Sequence, residues 1–189
     1  MEVFARHGYN GAGVDDIADA AGVSKALIYE HFPSKRHLHQ ALLERTTAEL
    51  FERLVESAAT SEPGEVRLRA GVDAFLTFVE VRPDAFRMLF RDAVEPEVAK
   101  SLQQLAQQAA LQVTELIATE PRAQREDESE GEKAEAIEMF GTLLTGAVQQ
   151  LALWWDDHPK VPRERLVERV MEFAWLGFER LRAGERVDR

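Results

Sequence analysis

The sequence predicts an all-α protein made of a small three-helix head and a larger helical body. The strong helix formers Ala, Leu, Glu, Arg and Gln dominate the 189 residues. Apolar residues recur at three- and four-residue spacing, and the alternating pattern of a strand appears nowhere. Glycine, proline and serine divide the chain into short helices followed by long ones, and we place the boundary between residues 1–45 and residues 46–189.

The first two predicted helices are short. We predict a helix over Met1–His7 that Gly8 ends. We predict a second helix over Val14–Ala21, and Gly22 ends it because the turn that follows requires a positive φ. Both helices are too short to be stable alone, so they must pack together with a third.

The third predicted helix follows Ser24, whose hydroxyl suits the N-cap position, and ends before Pro33. Four side chains are expected to form the core of the head: Ile17, Ala21, Leu27 and Ile28. Three side chains of the third helix are left facing outward: Lys25, Ala26 and Tyr29. Two short helices joined by such a turn are typical of the helix-turn-helix motif, whose second helix enters the major groove of DNA.

The body begins with a long helix. Ser34 is expected to cap this fourth helix, which continues to about Ala59. We predict a further helix over Glu65–Val81, with Pro83 starting a short one through Phe90. The prolines and the polar break after the fourth helix therefore set the lengths of these elements.

The rest of the body is predicted as three long helices and a loop. Glu95–Thr119 carries one apolar stripe and should pack on one side. Glu120–Glu132 is acidic and aperiodic, which indicates a loop. The last two helices, about Lys133–Asp157 and Pro162–Ala183, are apolar around more than one face. Such helices need cover on two sides, so we expect a partner subunit.

The composition limits the possible functions. The chain has no cysteine, which excludes disulfides, thiolate metal sites and cysteine nucleophiles. It has no apolar run long enough to span a bilayer and no signal peptide, so we expect a cytoplasmic protein with no membrane partner. The net charge of −11 is unusual for a DNA-binding protein. However, residues 1–45 hold five basic and six acidic residues, so the acidity lies in the body.

The stretch from Phe4 to Leu42 contains VDDIADAAGVSKALIYEHFPSK and resembles the tetracycline-repressor (TetR/AcrR) family closely. The resemblance implies a homodimer whose last two helices pair with those of a second subunit. It also implies binding to a palindromic double-stranded DNA operator and release when a small effector enters the body. Beyond about residue 45 the resemblance is one of architecture alone.

Carried over from the family, Lys25 and Ala26 lie where base edges are read, since Lys donates to guanine and Ala contacts a thymine methyl. The same resemblance places three side chains at phosphates and one near the backbone: Ser24, Tyr29 and Lys35, with His31. The sequence also departs from the family. Gly13 replaces the usual Ser or Thr, and Asp15 is acidic, and each departure lowers the expected affinity for DNA.

The aromatic residues of the body suggest an apolar effector pocket between helices. The predicted lining is Phe75, Phe78, Phe86, Phe90, Trp154 and Trp155. The effector would be apolar or amphipathic, such as an aromatic compound or a fatty acyl chain, because a desolvated charge would find few partners there. Three arginines could hold one anionic end: Arg82, Arg87 and Arg91. Ordinary core packing is the alternative explanation for the aromatic residues.

The predicted dimer interface includes Leu151, Val170, Ala174 and Phe178. We expect no enzyme activity, no cofactor and no metal site, because His37 and His39 fall on different helix faces and no nucleophile motif is present. A ligand-responsive repressor is the first interpretation. Two alternatives remain open: an activator or effector-free DNA-binding regulator, and a helical carrier or enzyme with a vestigial head.

Overall fold

The computed structural model describes residues 1–58, 62–91, 100, 104, 107 and 129–182, without the side chains of residues 58, 133, 137, 176 and 178–182. The regular elements of this part of the chain are all helices, and none of its residues is in a strand. None of its helices combines the length and the apolarity that crossing a membrane requires. The all-α prediction is therefore confirmed.

The head consists of α1 (Glu2–Gly11), α2 (Val14–Ala21) and α3 (Lys25–His31). Helix α1 does not end at Gly8, as predicted, but bends there and continues, because Gly8 adopts φ 65° and ψ 173°. That region of backbone conformation is open to glycine almost alone. Gly22 ends α2 with φ 66°, as the sequence predicts.

The turn between α2 and α3 is held by Ser24, whose hydroxyl accepts a hydrogen bond from the Leu27 amide at 3.1 Å. The predicted head core is only partly correct. Ile17 and Ile28 are buried, but Leu27 is 39% exposed and Ala21 is exposed. Ala21 is the last residue of α2, where the chain turns away from the core, and α3 is short enough that one buried side chain anchors it.

The body is assembled around α5 (Gly64–Val81), which contacts every other described helix of the body. These helices are α4 (Lys35–Ala58), α6 (Pro83–Phe90), α7 (Glu130–Asp156) and α8 (Arg163–Arg182). The buried side chains of α5 include Leu76 and Phe78, both fully enclosed. The apolar burial of α5 therefore holds the body together.

Two predicted segments lie mostly beyond the described residues. Of the predicted helix Glu95–Thr119, only Lys100, Gln104 and Gln107 are described, and all three are helical and exposed. Their spacing places them on one face, as expected for the polar side of an amphipathic helix. Residues 120–128 of the predicted loop lie outside the described part of the chain.

The end of the predicted loop is helical instead. Helix α7 begins at Glu130 because Ser129 and Glu132 form a capping box. The Ser129 hydroxyl accepts from the Glu132 amide at 3.3 Å, and the Glu132 carboxylate accepts from the Ser129 amide at 2.8 Å. These two bonds satisfy donors that a helix N-terminus otherwise leaves unpaired.

Asp156, at the end of α7, ties that helix to α6. Its carboxylate lies 2.9 Å from Arg87 Nη2 and 3.1 Å from Arg91 Nε, and its side chain is only 6% exposed. The hydrogen bond to Asp156 raises the pKa of the Arg87 guanidinium further above its ordinary value. The neighbouring Asp157 also pairs with Arg91, but its side chain is 61% exposed.

We predict that Asp156→Ala lowers the free energy of unfolding by about 1–3 kcal/mol, because it leaves two arginines without their enclosed carboxylate. Asp157→Ala is the matched control and should cost less than about 1 kcal/mol, as exposed ion pairs do. Urea unfolding followed by circular dichroism measures both changes. Equal losses of unfolding free energy for the two variants would show that the enclosed ion pairs of Asp156 stabilise the fold no more than the exposed pair of Asp157.

Candidate nucleic-acid interface and effector-binding body

Helix α3 presents the surface expected to meet DNA. The three side chains predicted to face outward do so: Lys25, Ala26 and Tyr29 are all exposed, Tyr29 to 46%. The N-terminal end of α3 is fixed by the Ser24 cap, and Ile28 anchors the opposite side in the head core. The helix therefore offers its first turn outward from a rigid base, as a recognition helix requires.

Ser24 serves the turn and remains available to a ligand. Its oxygen accepts the Leu27 amide proton, which leaves the hydroxyl hydrogen free to donate to a phosphate. His31, at the end of α3, is exposed. The structure therefore leaves both residues accessible at the positions where the sequence predicts backbone contacts.

Lys25 is paired with a carboxylate that the sequence pattern does not link to it. The Lys25 ammonium donates to Asp15 Oδ2 at 2.8 Å, and both side chains are exposed. This hydrogen bond raises the pKa of Lys25 above its ordinary value. The lysine expected to read a base and an acidic side chain of α2 are thus in direct contact.

Lys35 has a structural role that the sequence did not reveal. Its ammonium donates to the carbonyl oxygens of Tyr9 at 2.7 Å and Ala12 at 3.1 Å, and it lies 4.6 Å from the centre of the Tyr9 ring. Cations bind well both to unpaired carbonyls at a helix end and to aromatic faces. Lys35 therefore joins the start of α4 to the end of α1.

Three of the four phenylalanines predicted to line a pocket form one cluster between α5 and α6. The ring centres lie 6.4 Å apart for Phe75 and Phe86, 6.1 Å for Phe75 and Phe90, and 5.0 Å for Phe86 and Phe90. The fourth, Phe78, is fully buried. We call Phe75, Phe86 and Phe90 the aromatic cluster.

The two tryptophans have different surroundings. Trp155 is buried, and its indole donates to the Val161 carbonyl at 2.7 Å, which ties the end of α7 to the segment before α8. Trp154 is 44% exposed and stacks on His158 at 4.1 Å. The structure therefore places Trp154 at the surface, outside the aromatic cluster.

The three arginines near α6 already have carboxylate partners. Arg82 Nη1 donates to both oxygens of Glu49, at 2.9 and 2.8 Å, while Arg87 and Arg91 face Asp156. These pairs neutralise the charge that an anionic effector group would use. All three arginines therefore have a structural role, and a contact between them and an anionic end of an effector stays a prediction.

The apolar residues that are exposed on α7 and α8 are not the residues predicted to form the dimer interface. Val170 and Ala174 are buried inside the chain itself, Leu151 is half-buried, and the Phe178 side chain lies outside the described part. Among the side chains of α7 and α8 that the structure describes, four large apolar ones are exposed instead: Met139 (55%), Leu143 (67%), Trp154 (44%) and Phe173 (75%). We call these four residues the apolar face.

Within the described ranges, no three His, Asp or Glu side chains come close enough together to hold a metal ion. Asp156 and Asp157 face arginines, and the His158 ring lies 2.7 Å from the Trp154 carbonyl. The polar groups at the end of α7 therefore form contacts within the chain.

Two family models match the sequence. Residues 1–42 match bacterial regulatory proteins of the tetR family, and residues 64–177 match a tetracyclin repressor-like C-terminal domain. The HTH-type transcriptional activator FasR of Mycolicibacterium smegmatis is 33% identical over 178 residues, which cover 93% of this chain and 78% of that protein.

Solved structures show the same fold. A TetR-like transcriptional regulator from Rhodococcus sp. RHA1 superposes with a TM-score of 0.79 at 21% identity, covering 94% of this chain and 90% of that one. The transcriptional regulator FadR from Bacillus subtilis, in complex with stearoyl-CoA, gives a TM-score of 0.65 at 16% identity, with coverages of 98% and 95%.

We predict that Lys35→Met lowers the free energy of unfolding by about 1–3 kcal/mol in the absence of DNA, because two charge-assisted hydrogen bonds are lost. Arg45→Met, at an exposed position of the same helix, should change stability by less than about 0.5 kcal/mol. Urea unfolding measures both. Equal stabilities combined with weaker DNA binding would instead show that Lys35 acts as a phosphate contact alone.

Proposed function

The chain belongs to the tetR family of bacterial regulatory proteins and is a DNA-binding transcriptional regulator, and we propose that a fatty acyl effector controls its affinity for DNA. In this proposal the protein is a homodimeric repressor that binds a palindromic operator. An amphipathic acyl compound enters the body and releases the operator. Lys25 and Ala26 read base edges, while Ser24, Tyr29, His31 and Lys35 lie along the phosphates.

The position of α6 carries the proposal. On one side, its Phe86 and Phe90 form most of the aromatic cluster. On the other, α6 packs against α1 of the head and against α4. Arg82, the residue just before α6, holds Glu49 of α4 through both carboxylate oxygens. A ligand that separates the aromatic rings must displace α6, and that displacement reaches the head directly.

The class of effector is inferred from the residues of the aromatic cluster and from one structural relative. The aromatic cluster is apolar, and the nearby arginines are already paired, so the body favours a long apolar group over a buried charge. The FadR structure with a similar fold was obtained with stearoyl-CoA. A fatty acyl chain bound among the aromatic rings, with its polar end directed to solvent, agrees with both observations.

The apolar face supports the homodimer. Leu143 and Trp154 follow Met139 by 4 and 15 residues along α7. At about 100° per residue, the three side chains therefore lie within about 60° of one another around the helix axis. Phe173 of α8 adds a side chain that is 75% exposed. Exposed apolar side chains grouped in this way are typical of a surface that a partner covers. A second copy would hold the two recognition helices at the fixed spacing that a palindrome demands.

Activation of transcription is a second candidate function. FasR, to which 93% of this chain is 33% identical, carries the name of a transcriptional activator. The same coupling through α6 then works with the opposite outcome, because the position of the operator relative to the promoter decides whether bound protein blocks or assists the polymerase. A reporter gene under the native upstream region, assayed with and without the protein, distinguishes the two.

We predict that stearoyl-CoA raises the melting temperature and weakens binding to a duplex that the protein selects from a random library. A hundredfold excess over the dissociation constant adds about 2.7 kcal/mol to the stability of the fold. Differential scanning fluorimetry and fluorescence anisotropy measure the two effects. Coenzyme A without an acyl chain is the control and should do neither. If stearoyl-CoA does not bind while a polar metabolite does, the effector class is wrong.

The route through Arg82 is tested in the same assay. Glu49→Gln should still be stabilised by stearoyl-CoA but should lose part of the operator release, because the link between α4 and α6 is weakened. Glu52→Gln, at an exposed position one turn away on α4, is the matched control. Full release in the Glu49 variant would show that the head responds by another route.

We predict that Leu143→Glu or Phe173→Glu converts a dimer into a monomer at micromolar concentration and abolishes operator binding. A charge placed within a packed apolar interface has no partner there. Analytical ultracentrifugation measures the mass. Val66→Glu, at an apolar position that is 47% exposed on α5, is the control and should remain dimeric. A monomeric wild-type protein would contradict the proposed homodimer.

A further inference from the structure

The ion pair between Asp15 and Lys25 connects the two helices of the DNA-binding motif. Asp15 lies in the first turn of α2, and Lys25 is the first residue of α3. The distance between Asp15 Oδ2 and Lys25 Nζ is 2.8 Å, and the side chains are 72% and 50% exposed, respectively. The hydrogen bond to Asp15 raises the pKa of Lys25 above its ordinary value. The pair lies beside the exposed residues of α3 that are expected to meet DNA.

We propose that Asp15 is a specificity-determining residue, which directs Lys25 to a base edge and keeps it from phosphates on non-cognate DNA. The proposal rests on the function proposed above, in which Lys25 reads the operator. Asp15 acts through Lys25 and is thus a positioning residue. A long, flexible lysine side chain would otherwise reach the nearest phosphate as readily as a base.

The hydrogen-bonding capacity of lysine makes the two contacts compatible. An ammonium group has three N–H donors, and Asp15 uses one of them. The O6 and N7 atoms of guanine are neighbouring acceptors in the major groove, and two donors remain for them. The base edge is uncharged, so Asp15 can stay in place while Lys25 binds it. The pair therefore survives on a cognate site.

A phosphate in the same position meets a different environment. Its negatively charged oxygens would approach the Asp15 carboxylate as they approach Lys25, and the two like charges repel each other. Lys25 would have to leave Asp15 to bind the phosphate well. Residues 1–45 carry only five basic residues against six acidic ones, so the head has little other charge with which to compensate. Asp15 therefore selects against phosphate contact more than against base contact.

The expected size of the effect follows from the exposure of the pair. Exposed ion pairs change equilibrium constants by about fivefold at most. Asp15 is thus expected to adjust the ratio of cognate to non-cognate binding rather than to block DNA binding. An effect of this size is measurable, because specific and non-specific affinities of such proteins commonly differ by about a thousandfold or more.

The test compares Asp15→Asn with wild type on two duplexes. One duplex is selected by the wild-type protein from a random library, and the other has the same composition in shuffled order. We expect affinity for the shuffled duplex to rise about two- to fivefold, while affinity for the selected duplex stays constant or falls. The specificity ratio should therefore drop about two- to fivefold where affinity for the selected duplex stays constant, and further where it falls. The salt dependence on the shuffled duplex should steepen by about 0.9 for each additional phosphate that the variant neutralises.

Three further variants isolate the ion pair. Asp19→Asn removes the same charge from an exposed position of α2 and should alter both duplexes by one common factor. Asp15→Glu keeps the carboxylate and should restore most of the specificity ratio. In a Lys25→Gln background, Asp15→Asn should behave like Asp19→Asn, because the partner is gone. Circular dichroism melting verifies that each variant is folded.

The outcomes separate this proposal from the proposed function. If Asp15→Asn changes both affinities by the factor seen for Asp19→Asn, Asp15 acts only through its charge and the proposal is overturned. That result leaves the reading of the operator by Lys25 intact, provided that Lys25→Gln alters the selected sequence. If Lys25→Gln leaves the selected sequence unchanged, Lys25 reads no base, and the roles proposed for Lys25 and for Asp15 fail together while control by an acyl effector stands.

Discussion

The burial of one short helix holds the two parts of the molecule together. Helix α6 has eight residues, too few to be stable alone in water, so packing alone determines where it lies. Four of its side chains are almost fully enclosed: Ala85, Phe86, Met88 and Leu89. The enclosing elements include α1 of the head as well as α4 and α5 of the body. The head is therefore packed onto the body through the same helix that carries the aromatic cluster.

Apolar burial keeps α6 in place but does not determine its direction or its register, because the hydrophobic effect is not directional. Ion pairs supply that information at both ends of the helix. Arg82 precedes α6 and holds Glu49 of α4, while Arg91 follows it and holds Asp156 of α7. Any sliding of α6 along its axis disrupts at least one of these pairs. The helix therefore has few arrangements available, which favours a discrete change over a gradual one.

The sequence predicted local features well and non-local ones poorly. Ser24, Gly22 and Pro83 mark helix ends through their own backbone chemistry, and the structure agrees at all three. The spacing of Ser129 and Glu132 fits a capping box, but we assigned both residues to the acidic loop. The exposed apolar residues of α7 and α8 were predicted less well, because both helices are apolar on several sides. The pattern does not say which side the chain itself covers.

The contacts of the candidate site show the same limit. The Lys35 ammonium binds carbonyls 26 and 23 residues earlier in the chain, and Arg82 reaches a carboxylate 33 residues earlier. No spacing rule links such residues, because the fold alone brings them together. Family resemblance indicated which surface of α3 is expected to meet DNA. It did not indicate that Asp15 lies against Lys25, because the folded arrangement of α2 and α3 brings these two side chains together.

The bend at Gly8 also constrains how this sequence can vary over evolutionary time. A methyl group added there would meet nothing within 4 Å, so the open space around the position would accept a larger residue. The backbone conformation nevertheless disfavours any residue other than glycine, because φ 65° with ψ 173° would strain it by about 1–3 kcal/mol. The bend lies in a helix that packs against both α2 and α6, so straightening it would disturb the head and the body together. Gly8 should therefore resist substitution because of its backbone torsions, even though no neighbouring atom crowds it.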